Sequence, residues 1–191
     1  MDTVLLVHSS GFTSRQWRKL AESLTGYRVI APELLGYAEP WPKGRAFHFR
    51  EDVDHLAALL DGPTHVVGHS YGGFLALHLA LAYPDRVRSL AVYEPVAFGV
   101  LAADDPLAVD VRNVSASNVD QETWLSRFVD WWNGPGAWAQ LAPQTQQAFR
   151  DVGGKLMLEV ESLSRDTTDR TGFARITQPT LVMFGEATKP A

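Results

Sequence analysis

The sequence predicts an α/β fold: a mostly parallel sheet with helices on both faces, and a helical lid inserted after the fourth strand. Two observations predict it. Short apolar, β-branched runs such as Val66-Val67 alternate with segments whose apolar residues recur at helical spacing, as at Phe74, Leu75, Leu77 and Leu81. This alternation stops between Glu94 and about Gln178, where the chain is instead helical, aromatic and polar. Strands that alternate with helices imply parallel pairing with both faces of the sheet covered.

Taken in order, Val4 to His8 reads as a fully buried strand, followed by a helix from about Ser14 to Leu24 with Trp17, Leu20, Ala21 and Leu24 on one face. Tyr27 to Ala31 is the second strand, closed by Pro32. A loop rich in Pro, Gly and aromatics leads to a helix near Phe49 to Leu60, with Val53, Leu56, Ala57 and Leu60 inward. Thr64 to His69 is the third strand, and the helix after it ends at Tyr83-Pro84. Val87 to Tyr93 and Thr180 to Phe184 supply the fourth and fifth strands. Residues 1–94 and 176–191 therefore read as the core and 95–175 as the lid, with turns at Asp105-Pro106 and Asn133-Gly134-Pro135-Gly136. Within the lid, Trp124, Phe128, Trp131 and Trp132 fall at i, i+4, i+7 and i+8, an apolar stripe on one helix.

Composition narrows the function classes. A chain of 191 residues, 46% hydrophobic and 20% charged, can bury one sizeable core. Its net charge of −5, without a Lys/Arg cluster, argues against nucleic acid or an anionic membrane surface as partner. With no cysteine there is no disulfide framework, thiolate nucleophile or zinc–thiolate site. No His/Asp/Glu cluster has metal-ligand spacing and no phosphate-binding glycine loop is present, so no metal or cofactor is expected. The apolar run Val4 to Val7 is too short for a signal-peptide core or a membrane span, which makes the cytoplasm the expected location.

The chemistry is carried by Gly68-His69-Ser70-Tyr71-Gly72, a Gly-x-Ser-x-Gly run with a strand before it and a helix after it. A strand that turns straight into a helix forces its corner residue into an unfavourable backbone conformation. Glycines on either side let the two arms pass closely. Ser70 would then stand exposed at a helix N-terminus, where orphan N–H groups favour negative charge on a bound oxygen. The bland alternative is an ordinary glycine-rich turn.

Four segments in order resemble the α/β-hydrolase fold family, in particular its lidded esterase-like members. Leu5-Leu6-Val7-His8-Ser9-Ser10-Gly11 resembles the family's His-Gly oxyanion loop, with Ser9 in place of glycine. Ile30-Ala31-Pro32-Glu33-Leu34-Leu35-Gly36-Tyr37 is similar to its Pro-Asp-x-x-Gly loop. The Ser70 elbow and Pro179-Thr180-Leu181-Val182-Met183-Phe184-Gly185-Glu186 complete the set. The resemblance implies Ser70 as nucleophile, the N–H groups of Tyr71 and Ser10 as oxyanion hole, and His8, Ser9, Trp124, Phe128 and Trp131 around the substrate. Serine at the elbow, rather than aspartate, implies acyl transfer.

Family triads run serine, acid, histidine along the chain. Glu94, at the end of the fourth strand, and Glu186, after the fifth, are the alternatives for the acid. Only His78 follows Ser70, two turns into the elbow helix, which carries it away from the serine. His69 should face the opposite side of its strand, and His8 belongs to the oxyanion loop. The resemblance therefore implies a chain truncated at both ends and lacking its general base. The expected function is a serine hydrolase of carboxylic esters or related small acyl compounds. The rival expectations are a non-catalytic binding protein on the same fold, and a thioesterase or carbon–carbon bond hydrolase.

Overall fold

The computed structural model describes residues 1–115 and 118–186. Five strands form one sheet: β1 (Thr3–Val7), β2 (Arg28–Ile30), β3 (Thr64–His69), β4 (Val87–Tyr93) and β5 (Thr180–Met183). Every adjacent pair is parallel, in the spatial order β2-β1-β3-β4-β5. The helices are α1 (Arg18–Ser23), α2 (Phe49–Ala58), α3 (Tyr71–Ala82), α4 (Pro106–Ser115), α5 (Gln121–Asn133), α6 (Ala137–Gln140), α7 (Pro143–Ser164) and α8 (Arg170–Phe173). The parallel sheet and its helices are those expected from the alternation of patterns, with β3 and β4 beginning and ending where the sequence places them.

One expected element differs. The segment from Ser14 begins as a 3₁₀ turn, Ser14–Trp17, and only then becomes α1. Its apolar face, including Trp17 and Leu20, is half-buried, so packing supplies little to extend the α-helix. By contrast α2 has a reciprocal cap: the His48 side chain accepts the Arg50 N–H, and the Glu51 side chain accepts the His48 N–H. Its inward residues Val53, Leu56 and Ala57 are buried, as is Leu60 just beyond it.

Two apolar cores follow. The larger joins Leu5, Val7, Val66, Leu90 and Val92 of the sheet to Leu56 of α2 and Phe74, Leu75 and Leu79 of α3. The smaller lies within the helical segment between β4 and β5, where Trp124, Leu125 and Val129 of α5 meet Trp138, Leu156 and Val160. Helix α7 reaches both, because Leu163, one turn beyond Val160, belongs to the sheet core.

Candidate active site

The site is built around the junction of β3 and α3. Ser70 has φ 53° and ψ −117°, a left-handed backbone that a non-glycine residue adopts only under constraint. The constraint is visible: the Ser70 N–H donates to the Tyr93 carbonyl at 2.9 Å, and the Ser70 carbonyl accepts the first helical N–H, from Phe74, at 2.9 Å. A Cβ on Gly68 would lie 2.2 Å from the Gly72 carbonyl oxygen, and one on Gly72 would lie 2.2 Å from that of Val7. Both positions thus require glycine for close backbone passage. The Ser70 side chain does not cap its helix.

The loop after β1 runs beneath this corner. His8 is fully buried and uses both ring nitrogens: Nδ1–H donates to the Ser9 carbonyl at 2.9 Å and Nε2 accepts the Leu34 N–H at 3.1 Å. Burial holds its pKa below the usual histidine value, which favours this neutral form. The Ser9 N–H is taken by Gln16 Oε1 at 3.0 Å and the Gly11 N–H by the Tyr37 hydroxyl at 2.9 Å.

Ser70 lines two adjoining spaces. One is a narrow, mostly apolar pocket lined by Ser10, Ser70 and Tyr71 and by Val96, Phe98, Val111, Phe128, Trp131 and Val160. The other is a wider groove that also touches Ser9, Ser10 and Phe128 and has Asn133, Gln140 and Thr145 on its wall. Of the residues expected around the substrate, Ser9, Phe128 and Trp131 border these spaces. Trp124 does not. It is 1% exposed, stacks on Phe128 at 5.0 Å and donates its indole N–H to the Val114 carbonyl, so it forms the core of the helical segment. His8 is also absent from the lining, because its hydrogen bonds turn the ring beneath the loop. Trp132 borders both spaces although the sequence offered it only as part of the aromatic stripe.

The family model described as alpha/beta hydrolase fold matches residues 2–148. The chain belongs to the α/β-hydrolase fold family. It is 34% identical over 153 residues to lipase LipV of Mycobacterium tuberculosis, covering 78% of this chain and 56% of that protein. It is 35% identical over 103 residues to a pimeloyl-[acyl-carrier protein] methyl ester esterase of Neisseria meningitidis, covering 53% of this chain and 39% of that protein. The chain thus spans about half the length, or less, of these curated relatives. Among solved structures, an alpha/beta hydrolase from Sphaerobacter thermophilus superposes with a TM-score of 0.69 at 25% identity, covering 98% of this chain and 76% of that one.

On this α/β-hydrolase scaffold the two glutamates offered as the acid come close in the fold. Glu94 follows β4 with φ 47°, its N–H donates to the Met183 carbonyl, and its Oε1 accepts the Gly185 N–H at 3.0 Å, one residue before Glu186. No histidine borders either space at Ser70 among the described residues. His69 stacks on Tyr93 and contacts Gln16 Nε2 through Nδ1 at 2.9 Å. Because Gln16 Oε1 already accepts from Ser9, its Nε2 is the donor and His69 Nδ1 the acceptor. Burial lowers the His69 pKa. His78 lies among Phe49, Phe74 and Phe173 and meets Asp166 Oδ2 at 3.2 Å.

Sequence reasoning missed a buried polar cluster packed against the loop that follows β1. Lys155 Nζ donates to Glu159 Oε1 at 2.8 Å and to Asp52 Oδ2 at 3.0 Å, with all three residues at most 2% exposed. Glu159 Oε2 also accepts the Ser10 hydroxyl at 2.5 Å and the Tyr37 hydroxyl at 3.0 Å. Asp52 accepts the Tyr71 hydroxyl at 3.0 Å and the Leu35 N–H at 3.1 Å. Such burial of charge is tolerated only when every partner is supplied. Burial, partly offset by Lys155, raises the Asp52 pKa, and it drives those of Tyr37 and Tyr71 well above the usual tyrosine value.

Proposed function

We propose that this chain carries the nucleophile, oxyanion-binding and acyl-binding parts of a serine hydrolase that acts on carboxylic esters with an apolar acyl group. The observation that carries the reading is the strained Ser70 at a strand-to-helix corner, opening onto an apolar cavity. Ser70 attacks the ester carbonyl. The Tyr71 N–H at the start of α3 and the Ser10 N–H receive the developing oxyanion; a base takes the Ser70 hydroxyl proton and returns it to the departing alkoxide, so that an ester of Ser70 and the free alcohol form. The acyl chain occupies the apolar cavity and the alcohol faces the wider groove. The helices between β4 and β5 act as the lid: Phe128 and Trp131 exclude water and so strengthen the polar contacts at the carbonyl. Glu94, with Glu186 as the alternative, is the carboxylate that would orient a histidine, and among the described residues no histidine borders Ser70 to act as the base. The lipase and esterase relatives support ester substrates, while a relative named 2-hydroxy-6-oxo-2,4-heptadienoate hydrolase, 37% identical over 98 residues, keeps carbon–carbon bond hydrolysis as the second reading.

A fluorophosphonate, applied with imidazole in solution as a substitute base to take the Ser70 hydroxyl proton as fluoride leaves, tests this reading without requiring turnover. A phosphonyl adduct located by mass spectrometry on Ser70, and lost in Ser70→Ala, supports it. Absence of an adduct, with an apolar ester still bound, favours the non-catalytic binding reading, for which the lack of a histidine at the cavity is the specific argument.

A further inference from the structure

The two residues assigned as oxyanion donors share a feature that backbone geometry alone does not require. Each is tied by its own side chain to the same buried cluster, Ser10 to Glu159 and Tyr71 to Asp52, and Lys155 bridges the two carboxylates. Ser10 and Glu159 are 149 residues apart in the chain. The neighbouring backbone is tied in as well, since Gly11 donates to the Tyr37 hydroxyl and Tyr37 donates to Glu159. Two of the three charged residues, Lys155 and Glu159, belong to α7, and the third to α2.

We propose that Asp52, Lys155 and Glu159 are positioning residues that hold the Ser10 and Tyr71 N–H groups beside Ser70, and that α7 is thereby a fixed part of the oxyanion hole rather than a moving part of the lid. The proposal rests on the acyl-transfer reading of Ser70. Its physical basis is that a donor contributes to transition-state stabilisation only if it is already aimed when charge develops, and a misplacement of about 1 Å costs on the order of a hundredfold. The cluster supplies the aim. Ser10 cannot shift toward or away from the cavity without stretching a bond to a fully buried carboxylate, and Tyr71 is held in the same way from the opposite carboxylate. The Lys155 ammonium, 3.8 Å above the Phe47 ring centre, is itself fixed in place.

The test uses the 191-residue chain with Glu159→Gln, Ser10→Ala and Ser10→Thr. Two readouts are taken: residue-resolved amide hydrogen exchange at Ser10 and Tyr71, and the affinity of n-butylboronic acid, whose Ser70 adduct is a tetrahedral anion, followed by tryptophan fluorescence. The expected result is exchange faster by about tenfold or more at Ser10, and boronate affinity weaker by about tenfold or more, in Glu159→Gln and Ser10→Ala. Ser10→Thr, which keeps the hydroxyl, restores both. If Glu159→Gln does not fold, Ser10→Ala and its threonine rescue decide the matter alone. Wild-type exchange and boronate affinity in the folded variants overturn the proposal. Boronate that binds Ser70→Ala as well as wild type overturns the acyl-transfer reading instead, while the exchange measurement still judges the positioning.

Discussion

Gly72 and Val7 come so close that a Cβ on the glycine would lie 2.2 Å from the valine carbonyl oxygen. The first turn of α3 is thus pressed against the end of β1, and this contact lifts Ser70 above the sheet. Gly72→Ala must push two buried backbone segments apart, at an expected cost of about 3 kcal/mol or more. Gly62 is the control: nothing lies within 4 Å of its would-be Cβ, so Gly62→Ala should be neutral or stabilising by a few tenths of a kcal/mol. Urea denaturation of the two variants measures the contrast, and equal midpoints would contradict the steric account.

Ester turnover by the chain should be close to that of Ser70→Ala. A serine hydroxyl without a base stays protonated at neutral pH, and loss of one triad member lowers rate by roughly 10⁴ to 10⁶. Hydrolysis of p-nitrophenyl acetate and butyrate, with the Ser70→Ala variant alongside, provides the measurement. Robust Ser70-dependent turnover would show that an unconventional base operates, and His8 would be the first residue to replace.

Two members of one aromatic stripe should respond differently to truncation. Trp124→Ala removes the core of the helical segment and should cost about 3–5 kcal/mol of stability. Trp131→Ala empties part of the cavity wall, so it should weaken butylboronate binding severalfold with a smaller loss of stability. Thermal unfolding and boronate titration of both variants separate the roles; the assignment fails if Trp131→Ala lowers stability as much as Trp124→Ala does.

Acidification should destabilise the chain through His8 and His69. Both have folded pKa values below the ordinary 6.5, held down chiefly by burial, so the unfolded chain binds more protons in the window below 6.5. Their contribution to stability is complete above pH 6.5 and is lost as pH falls through that value toward their folded pKa values. Asp52 works in the opposite direction because its pKa is raised. The histidine part is therefore isolated by comparing urea midpoints at pH 7.5 and 5.5 between wild type and a His8→Gln, His69→Gln double variant. The double variant should lose less on acidification, and an equal loss would remove these histidines from the account.

The sheet was legible because buried parallel strands are short apolar runs, and β3 and β4 are bounded by residues that cannot continue them. Ser70 was legible because Gly68 and Gly72 flank it in a recognisable five-residue run, although only Gly68 is forced by that run, Gly72 being forced by the distant Val7 carbonyl. The wall of the cavity was only half legible. Helical spacing groups Trp124, Phe128 and Trp131 on one stripe, but it does not say which neighbour each ring meets; Trp124 turned toward Val114 and Val129, while Trp131 turned toward Ser70. The Asp52, Lys155 and Glu159 cluster left little local trace: Lys155 and Glu159 stand at i,i+4 on one helix, a spacing shared by ordinary surface ion pairs. Each residue reads as an ordinary polar position on a helix, and the pairing of Lys155 with Asp52 joins positions 103 residues apart.

The adjacency of β4 and β5 bears on how the chain tolerates exchange of parts. Thr180, where the polypeptide re-enters the sheet, is the register partner of Leu90, so the chain leaves beyond Tyr93 and returns at the other end of the adjacent parallel strand. Lengthening such an excursion costs little closure entropy, about 0.6 kcal/mol for each doubling. Cassettes of different length that still cover Leu156 and Val160 of α7 can therefore replace residues between the end of β4 and the start of α7 without altering strand register. A graft that includes α7 is another matter, because it would withdraw Glu159 from the Ser10 hydroxyl and leave the buried Asp52 carboxylate without the Lys155 ammonium. The recombination boundary that preserves the fold's chemistry lies before Pro143, within what looks from the outside like one interchangeable block.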